Sequence, residues 1–182
     1  DLVTGSAITA ADCTNGRFVA IAATRDNRDH LYAGPTTPNL LRDYTNTLHT
    51  LDLMPRTQGG ALLAITRSDG TIEIEALTAQ GASETRRVAV GAPKEAGAAR
   101  LIPAPSGAVL VYPVLAPAFE HGIWATPINE LGAANGAQQR MTNEAILQTS
   151  SAAHASGTAG MGNLYYLGSD GLRRLFLGCA HP

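Results

Sequence analysis

The sequence predicts an all-β domain, because of its composition, its short apolar runs and the turns that follow them. Of its 182 residues, 45% are hydrophobic and 15% are charged, while glycine and proline number 19 and 10. Few charges together with many glycines and prolines favour turn-rich β structure over helical bundles. The length suits one hydrophobic core, so we expect a single domain over residues 1–182.

Four apolar runs, each beginning with a glycine, recur along the chain. Each run is too short for a helix and is rich in β-branched or aromatic residues, which is typical of a buried strand. The runs lie at residues 16–22, 60–65, 107–112 and 162–167. They divide the chain into four units, at about residues 1–47, 48–92, 93–145 and 146–182.

Polar turns after these runs predict β-hairpins. Residues 68–70 and 169–171 both have the sequence Ser-Asp-Gly, and Asp26 and Asn27 follow the first run. These residue types supply the positive φ angles that a tight hairpin turn requires. The expected returning strands are residues 71–77, 122–128 and 172–177, and polar outer strands are expected at 85–90 and 137–142.

This succession of strands resembles the β-propeller repeat proteins, in which every blade is a small antiparallel sheet that packs against its neighbours. The resemblance implies a small propeller of about four blades. The sequence has no WD dipeptides and no kelch Gly-Gly signature that recurs from unit to unit, so no subfamily follows. A β-sandwich of similar strands is the alternative.

Two segments depart from the strand pattern. Residues 38–48 and 142–153 have apolar spacings that suit short amphipathic helices, although an outer strand with a loop is the alternative for each. Glu73 and Glu75 alternate along a predicted strand and therefore share one face. We expect that face to be the solvent side of the strand.

Cys13 and Cys179 are the two cysteines of the chain and lie near its opposite ends. A disulfide between them would close a loop of about 165 residues, close the propeller ring and contribute roughly 5 kcal/mol. Such a disulfide predicts an extracytoplasmic protein, either periplasmic or secreted. Two buried thiols in a cytosolic protein are the alternative.

Charge and hydropathy exclude two classes of partner. The net charge is −2 and adjacent basic residues occur only at 86–87 and 173–174, so we expect no binding of nucleic acid. No apolar run approaches the roughly 20 residues that span a bilayer.

The five histidines are scattered along the chain, so we expect no metal site and no cofactor.

The sequence contains no hydrolase motif, and we expect a non-catalytic binding or assembly module, such as an accessory subunit of a larger complex. Its partner is expected to be a protein or a glycan. Amphipathic aromatic residues and their polar neighbours are the candidate binding residues. They are Tyr44, Tyr112, Glu120, His121 and Trp124. In a complex, residues 35–44 or 113–124 are the expected contact.

Two other functions remain open. A carbohydrate-binding module would stack sugar rings on Trp124 and on a tyrosine. A small hydrolase or lyase would assemble its site from Asp26, His30 and His121. That third function requires the three side chains to converge within hydrogen-bonding reach.

Overall fold

The computed structural model describes residues 7–14, 18–45, 48–91, 95–116, 120–144, 161–168 and 171–178. Within these residues the chain forms β-strands and no α-helix. The strands lie in four antiparallel sheets that follow one another along the chain. The prediction of an all-β protein is therefore confirmed.

The first and second sheets each have four strands in chain order. The strands of the first sheet are β1 (Ala7–Thr14), β2 (Phe18–Arg25), β3 (Arg28–Gly34) and β4 (Asn39–Tyr44). Those of the second sheet are β5 (Leu48–Pro55), β6 (Ala61–Arg67), β7 (Ile72–Leu77) and β8 (Ser83–Val90).

The third sheet has five strands and the fourth has two. The third contains β9 (Glu95–Ala96), β10 (Arg100–Ala104), β11 (Gly107–Ala116), β12 (Gly122–Asn129) and β13 (Gln139–Arg140), with β9 paired to β11. The fourth contains β14 (Met161–Gly168) and β15 (Gly171–Gly178). Each sheet draws its strands from one of the four units suggested by the sequence.

Two of the predicted hairpins are confirmed. Asp26 and Asn27 join β2 to β3 with φ angles of 51° and 59°. Gly70 ends the turn between β6 and β7 with a φ of 81°, and its N–H donates to the Arg67 carbonyl at 3.0 Å. The third predicted turn falls on residues 169–170, which lie outside the described residues.

The helix expected over residues 38–48 is wrong, and the alternative of an outer strand with a loop is correct. Residues Asn39–Tyr44 form β4, which pairs with β3. A β-bulge accounts for the error, because Leu31 pairs with Arg42 while Tyr32 pairs with Leu40. The bulge inserts Leu41 out of alternation, so the apolar spacing imitates a helix. The other expected helix, over 142–153, falls largely outside the described residues.

Neighbouring sheets pack face to face through three hydrophobic cores. The first core joins the first and second sheets, the second core joins the second and third, and the last joins the third and fourth. Leu31, Leu63 and Leu77 belong to the first core, and Ile74 and Leu110 belong to the second. The second and third sheets are therefore covered on both faces.

In sheet order, the first strand of each sheet contacts the first strand of the sheet beside it. Strand β5 of the second sheet lies against β1 of the first and β10 of the third. The same holds between β10 and β14. No closed barrel or closed ring of sheets is found within the described ranges. The described residues contain no helix long and apolar enough to cross a membrane.

Candidate functional site

Four of the predicted binding residues lie together on the third sheet. Tyr112 on β11 and Trp124 on β12 are cross-strand partners, and both pack in the core between the second and third sheets. Tyr112 is fully buried. The indole N–H of Trp124 donates to the Glu120 carbonyl at 2.9 Å, and the His121 carbonyl accepts from Arg140. These residues serve internal contacts, which leaves little aromatic surface for stacking sugars.

The fifth predicted residue, Tyr44, lies apart from them on β4, at the interface between the first and second sheets. It faces Glu73 and Glu75, whose exposed fractions are 1% and 0%. The expectation that these glutamates face solvent is wrong. Strand β7 lies inside a sheet that is covered on both faces. Its alternating side chains therefore point to two buried faces, and neither face is exposed to solvent.

The two buried carboxylates are matched by arginines from other strands. Arg42 of β4 donates to both oxygens of Glu75, at 2.8 and 3.2 Å. Arg86 of β8 donates to both oxygens of Glu73, at 2.7 to 2.9 Å. The Tyr44 hydroxyl donates to Glu73 at 2.9 Å and accepts from Arg42 at 3.3 Å, so it connects the two ion pairs.

This network has the electrostatics of a structural interface. The hydrogen bond to Glu75 raises the pKa of the Arg42 guanidinium above its usual value, against an opposing effect of burial. For the Tyr44 phenol, in contrast, burial itself raises the pKa. Both groups therefore hold their protons throughout the physiological range, and neither is poised for acid–base chemistry.

The structure does not bring together the three residues of the expected hydrolase site. His30 lies on β3, where its Nδ1 is 2.7 Å from the Asp43 carboxylate. Asp26 lies in the exposed turn before it and is 3.5 Å from Arg25. His121 precedes β12 on the third sheet, and the second sheet packs between the first and third.

Two aspartates outside the predicted sites join neighbouring sheets. Asp29 accepts from the Leu48 N–H at 3.0 Å and thereby ties β3 to the start of β5. Asp52 on β5 accepts from the Leu101 N–H of β10 at 2.6 Å. Within the described residues, no group of three histidine, cysteine or acidic side chains is placed to hold a metal ion.

The outer face of the first sheet, defined here by Val19, Ile21, Tyr32 and Leu40, points away from the second sheet. Alternate residues of β2 and β3 fill the core on the opposite side. Val19, Ile21 and Tyr32 are half-buried, and Leu40 is 54% exposed. Asp43, half-exposed, lies beside His30 on this face.

The fourth sheet has a matching uncovered face, which we define by Tyr165, Leu167, Leu172 and Arg174. Its other face packs on the third sheet through Leu164 and Tyr166. Leu167 pairs with Leu172 across the hairpin, and Tyr165 pairs with Arg174. Leu172 is 74% exposed. The two ends of the row of sheets thus each present an apolar face with a charge beside it.

No family model matches the sequence. A comparison with curated proteins also gives no match. Among solved structures, the chain is similar to a crystal structure of a protein of unknown function from Bacteroides caccae, with 12% sequence identity and a TM-score of 0.44. The similarity covers 94% of this chain and 61% of that protein's length.

Proposed function

We propose that the chain is a non-catalytic assembly module of the β-propeller type that acts outside the cytoplasm. Each sheet acts as one blade, and the uncovered faces of the first and fourth sheets are its binding surfaces. The observation that carries the proposal is the exposure of Leu40 and Leu172, at 54% and 74%, on those two faces. Exposed apolar patches on an otherwise polar surface mark interaction sites.

The propeller scaffold is supported by three features of the sheets. Their strands follow in chain order, consecutive sheets pack face to face, and their first strands contact one another. Blades of a propeller share these three properties. Their first strands contact one another because the first strand of each blade lies nearest the central axis.

The partner we propose is a second copy of the same chain, whose fourth sheet packs on the first sheet of its neighbour. This contact continues the sheet-on-sheet packing that already joins the four sheets. Arg174 lies on the fourth-sheet face and Asp43 lies on the first-sheet face, so the charges beside the two apolar faces are opposite in sign. Such a head-to-tail contact repeats and produces multimers unless it closes into a ring.

The same two faces would meet within one chain if four blades closed into a ring, as the sequence suggested. In that closed ring Leu172 would be buried. Its exposure leaves this face accessible to a second copy of the chain. Closure of the ring within one chain, by the disulfide expected between Cys13 and Cys179, is the competing arrangement, and a monomeric wild-type chain would favour it.

The proposed location outside the cytoplasm depends on the predicted disulfide between Cys13 and Cys179. Cys13 lies on β1, the first strand of the first sheet, and Cys179 falls outside the described residues, directly after β15. Intact mass under denaturing conditions, with alkylation before and after reduction, counts the free thiols. If both thiols are alkylated before reduction, the proposed location outside the cytoplasm is contradicted.

Light scattering during size-exclusion chromatography tests the assembly. We expect the mass of the wild-type chain to rise with concentration up to about 100 µM, and we expect Leu40→Asp and Leu172→Asp to remain monomeric. Val88→Asp is the matched control, because Val88 is 62% exposed on the edge strand β8 and lies on neither end face. A wild-type chain that stays monomeric, or a Val88→Asp variant that dissociates equally, would reject the proposed surface.

A further inference from the structure

A cleft lies between the second and third sheets, at the end where their turns meet. Its volume is about 480 Å³, which is within the size range of small-molecule sites. The turn after β5 contributes Arg56, Thr57 and Gln58 to its lining, and the turn after β12 contributes Glu130 and Leu131. This cleft is separate from the two end faces, and the inference about it does not depend on the assembly proposed above.

The width of the cleft is fixed by hydrogen bonds between the two sheets. One Glu130 carboxylate oxygen accepts from the Thr57 N–H at 2.9 Å and from the Thr57 hydroxyl. The Thr85 hydroxyl on β8 donates to the Leu131 carbonyl at 2.7 Å. The walls are therefore held in place before any ligand arrives, which lowers the entropic cost of binding.

Two buried polar atoms of the lining have no hydrogen-bond partner in the described part of the chain. One is the Arg56 Nε, a donor, on a side chain that is 5% exposed. The other is the second carboxylate oxygen of Glu130, an acceptor. Buried polar atoms are normally paired, so a donor and an acceptor left over in one cleft indicate a polar ligand.

The charges of the cleft exclude ions of either sign. The Arg56 guanidinium is already paired with Glu84, with its Nη1 2.6 Å from that carboxylate. Hydrogen bonds from Thr57 hold the pKa of Glu130 below its usual range, so the lining carries a net negative charge that repels anions. A metal cation would meet the buried guanidinium of Arg56 and lacks a third carboxylate or histidine within the described lining.

We infer that this cleft binds a neutral polyhydroxylated ligand, of which a saccharide is the common class. A hydroxyl group both donates and accepts, so the hydroxyl groups of one ligand can pair with both Glu130 and Arg56. The exposed amide of Gln58 offers a further hydrogen-bonding group at the rim. Pro105 and Leu131, which is 38% exposed, supply apolar surface for the C–H groups of a sugar ring.

Backbone-amide NMR titration of the full chain tests this inference and detects weak binding. The probes are maltotriose, cellotriose and mannotriose, each up to about 20 mM, with inorganic phosphate at the same concentration as the anionic comparison. We expect at least one trisaccharide to shift the amide signals of Thr57, Gln58 and Leu131. Phosphate should leave those signals unchanged.

Three variants assign the binding to the cleft. Glu130→Gln replaces the unpaired acceptor and should weaken trisaccharide binding about tenfold, since hydrogen bonds to charged groups are the strong ones. Gln58→Ala removes an exposed amide without disturbing the fold and should weaken binding by about threefold. Gln80→Ala, in the exposed turn between β7 and β8 and outside the cleft lining, is the matched control.

Three results would overturn the inference. The first is that none of the three trisaccharides shifts the cleft amides, and the second is that phosphate shifts them where the sugars do not. The third is that Gln58→Ala and a folded Glu130→Gln bind the trisaccharide as the wild type does. If Glu130→Gln fails to fold, Gln58→Ala alone decides the question, because its side chain is exposed.

Discussion

Replacement of Arg42 by methionine tests the buried ion pair between the first and second sheets. The Glu75 side chain has no exposed surface, whereas a quarter of the Arg42 side chain is exposed. Arg42→Met therefore leaves a carboxylate buried without its counter-ion. Glu75→Leu leaves a guanidinium that can turn toward water. The two variants remove the same interaction, but we expect them to differ in stability.

The magnitude follows from the burial of each partner. An uncompensated charge left in the core costs about 3–5 kcal/mol, and we expect this loss in Arg42→Met. Glu75→Leu loses hydrogen bonds of 2.8 and 3.2 Å but buries no unpaired charge, so we expect a loss of about 1–2 kcal/mol. The double variant should lie within about 1 kcal/mol of the wild type, because it removes both charges together.

Urea unfolding provides the measurement, followed by far-ultraviolet circular dichroism and by the fluorescence of Trp124, the single tryptophan. Trp124 lies on the third sheet, so coincident transitions show that the sheets unfold together. Equal stability of the two single variants, or a double variant as unstable as Arg42→Met, would refute the reasoning.

Three further changes have expected outcomes. Asp52→Ala should cost about 1–3 kcal/mol in urea unfolding, because the buried Leu101 N–H loses its acceptor at 2.6 Å. Gly107→Ala should lower Tm, since φ is 141° and a Cβ would lie 2.2 Å from a backbone oxygen, whereas Gly91→Ala meets open space and should not. Burial, with help from the Glu144 hydrogen bond, raises the pKa of Tyr166 to about 12 from 10.0. The stability contributed by its neutral phenol is present below pH 10 and lost as the pH rises through about 12. A phenolate absorbance titration of Tyr166→Phe should lack the step near pH 12 that the wild type shows.

The sequence was most informative where a local rule decides the structure. Asp26 and Asn27 tolerate positive φ, and the turn they predict is present. The apolar runs are strands as expected, but in the first three sheets each run forms the second strand in sheet order and not the first. Strand β5, the first of the second sheet, was missed because it carries a polar residue at a position that faces another sheet. That residue is Asp52, whose carboxylate accepts from the Leu101 N–H of the third sheet.

The ion-pair network was missed because its members meet only in three dimensions. Alternation along β7 places Glu73 and Glu75 on one face, but it cannot say whether water or another sheet covers that face. One sequence signal for the network was available. Arginines occur on β4 and β8, and each of these strands follows a buried strand. Arg42 and Arg86 are those arginines, and each matches one glutamate. The cleft likewise depends on turns from two sheets, which no local pattern relates.

The buried charges also determine which sheet can cover which face. Arg42 and Tyr44 on the first sheet require carboxylates opposite them, and the second sheet supplies these through Glu73 and Glu75. The uncovered face of the fourth sheet carries Arg174 and no carboxylate among its described residues. Packed on the Arg42 side of the first sheet, it would leave the Arg42 guanidinium buried without a carboxylate, which is a large cost. On the outer face it meets Asp43 and apolar side chains. The network therefore supports the proposal that a second copy packs on the outer face of the first sheet, away from the interface that the second sheet occupies.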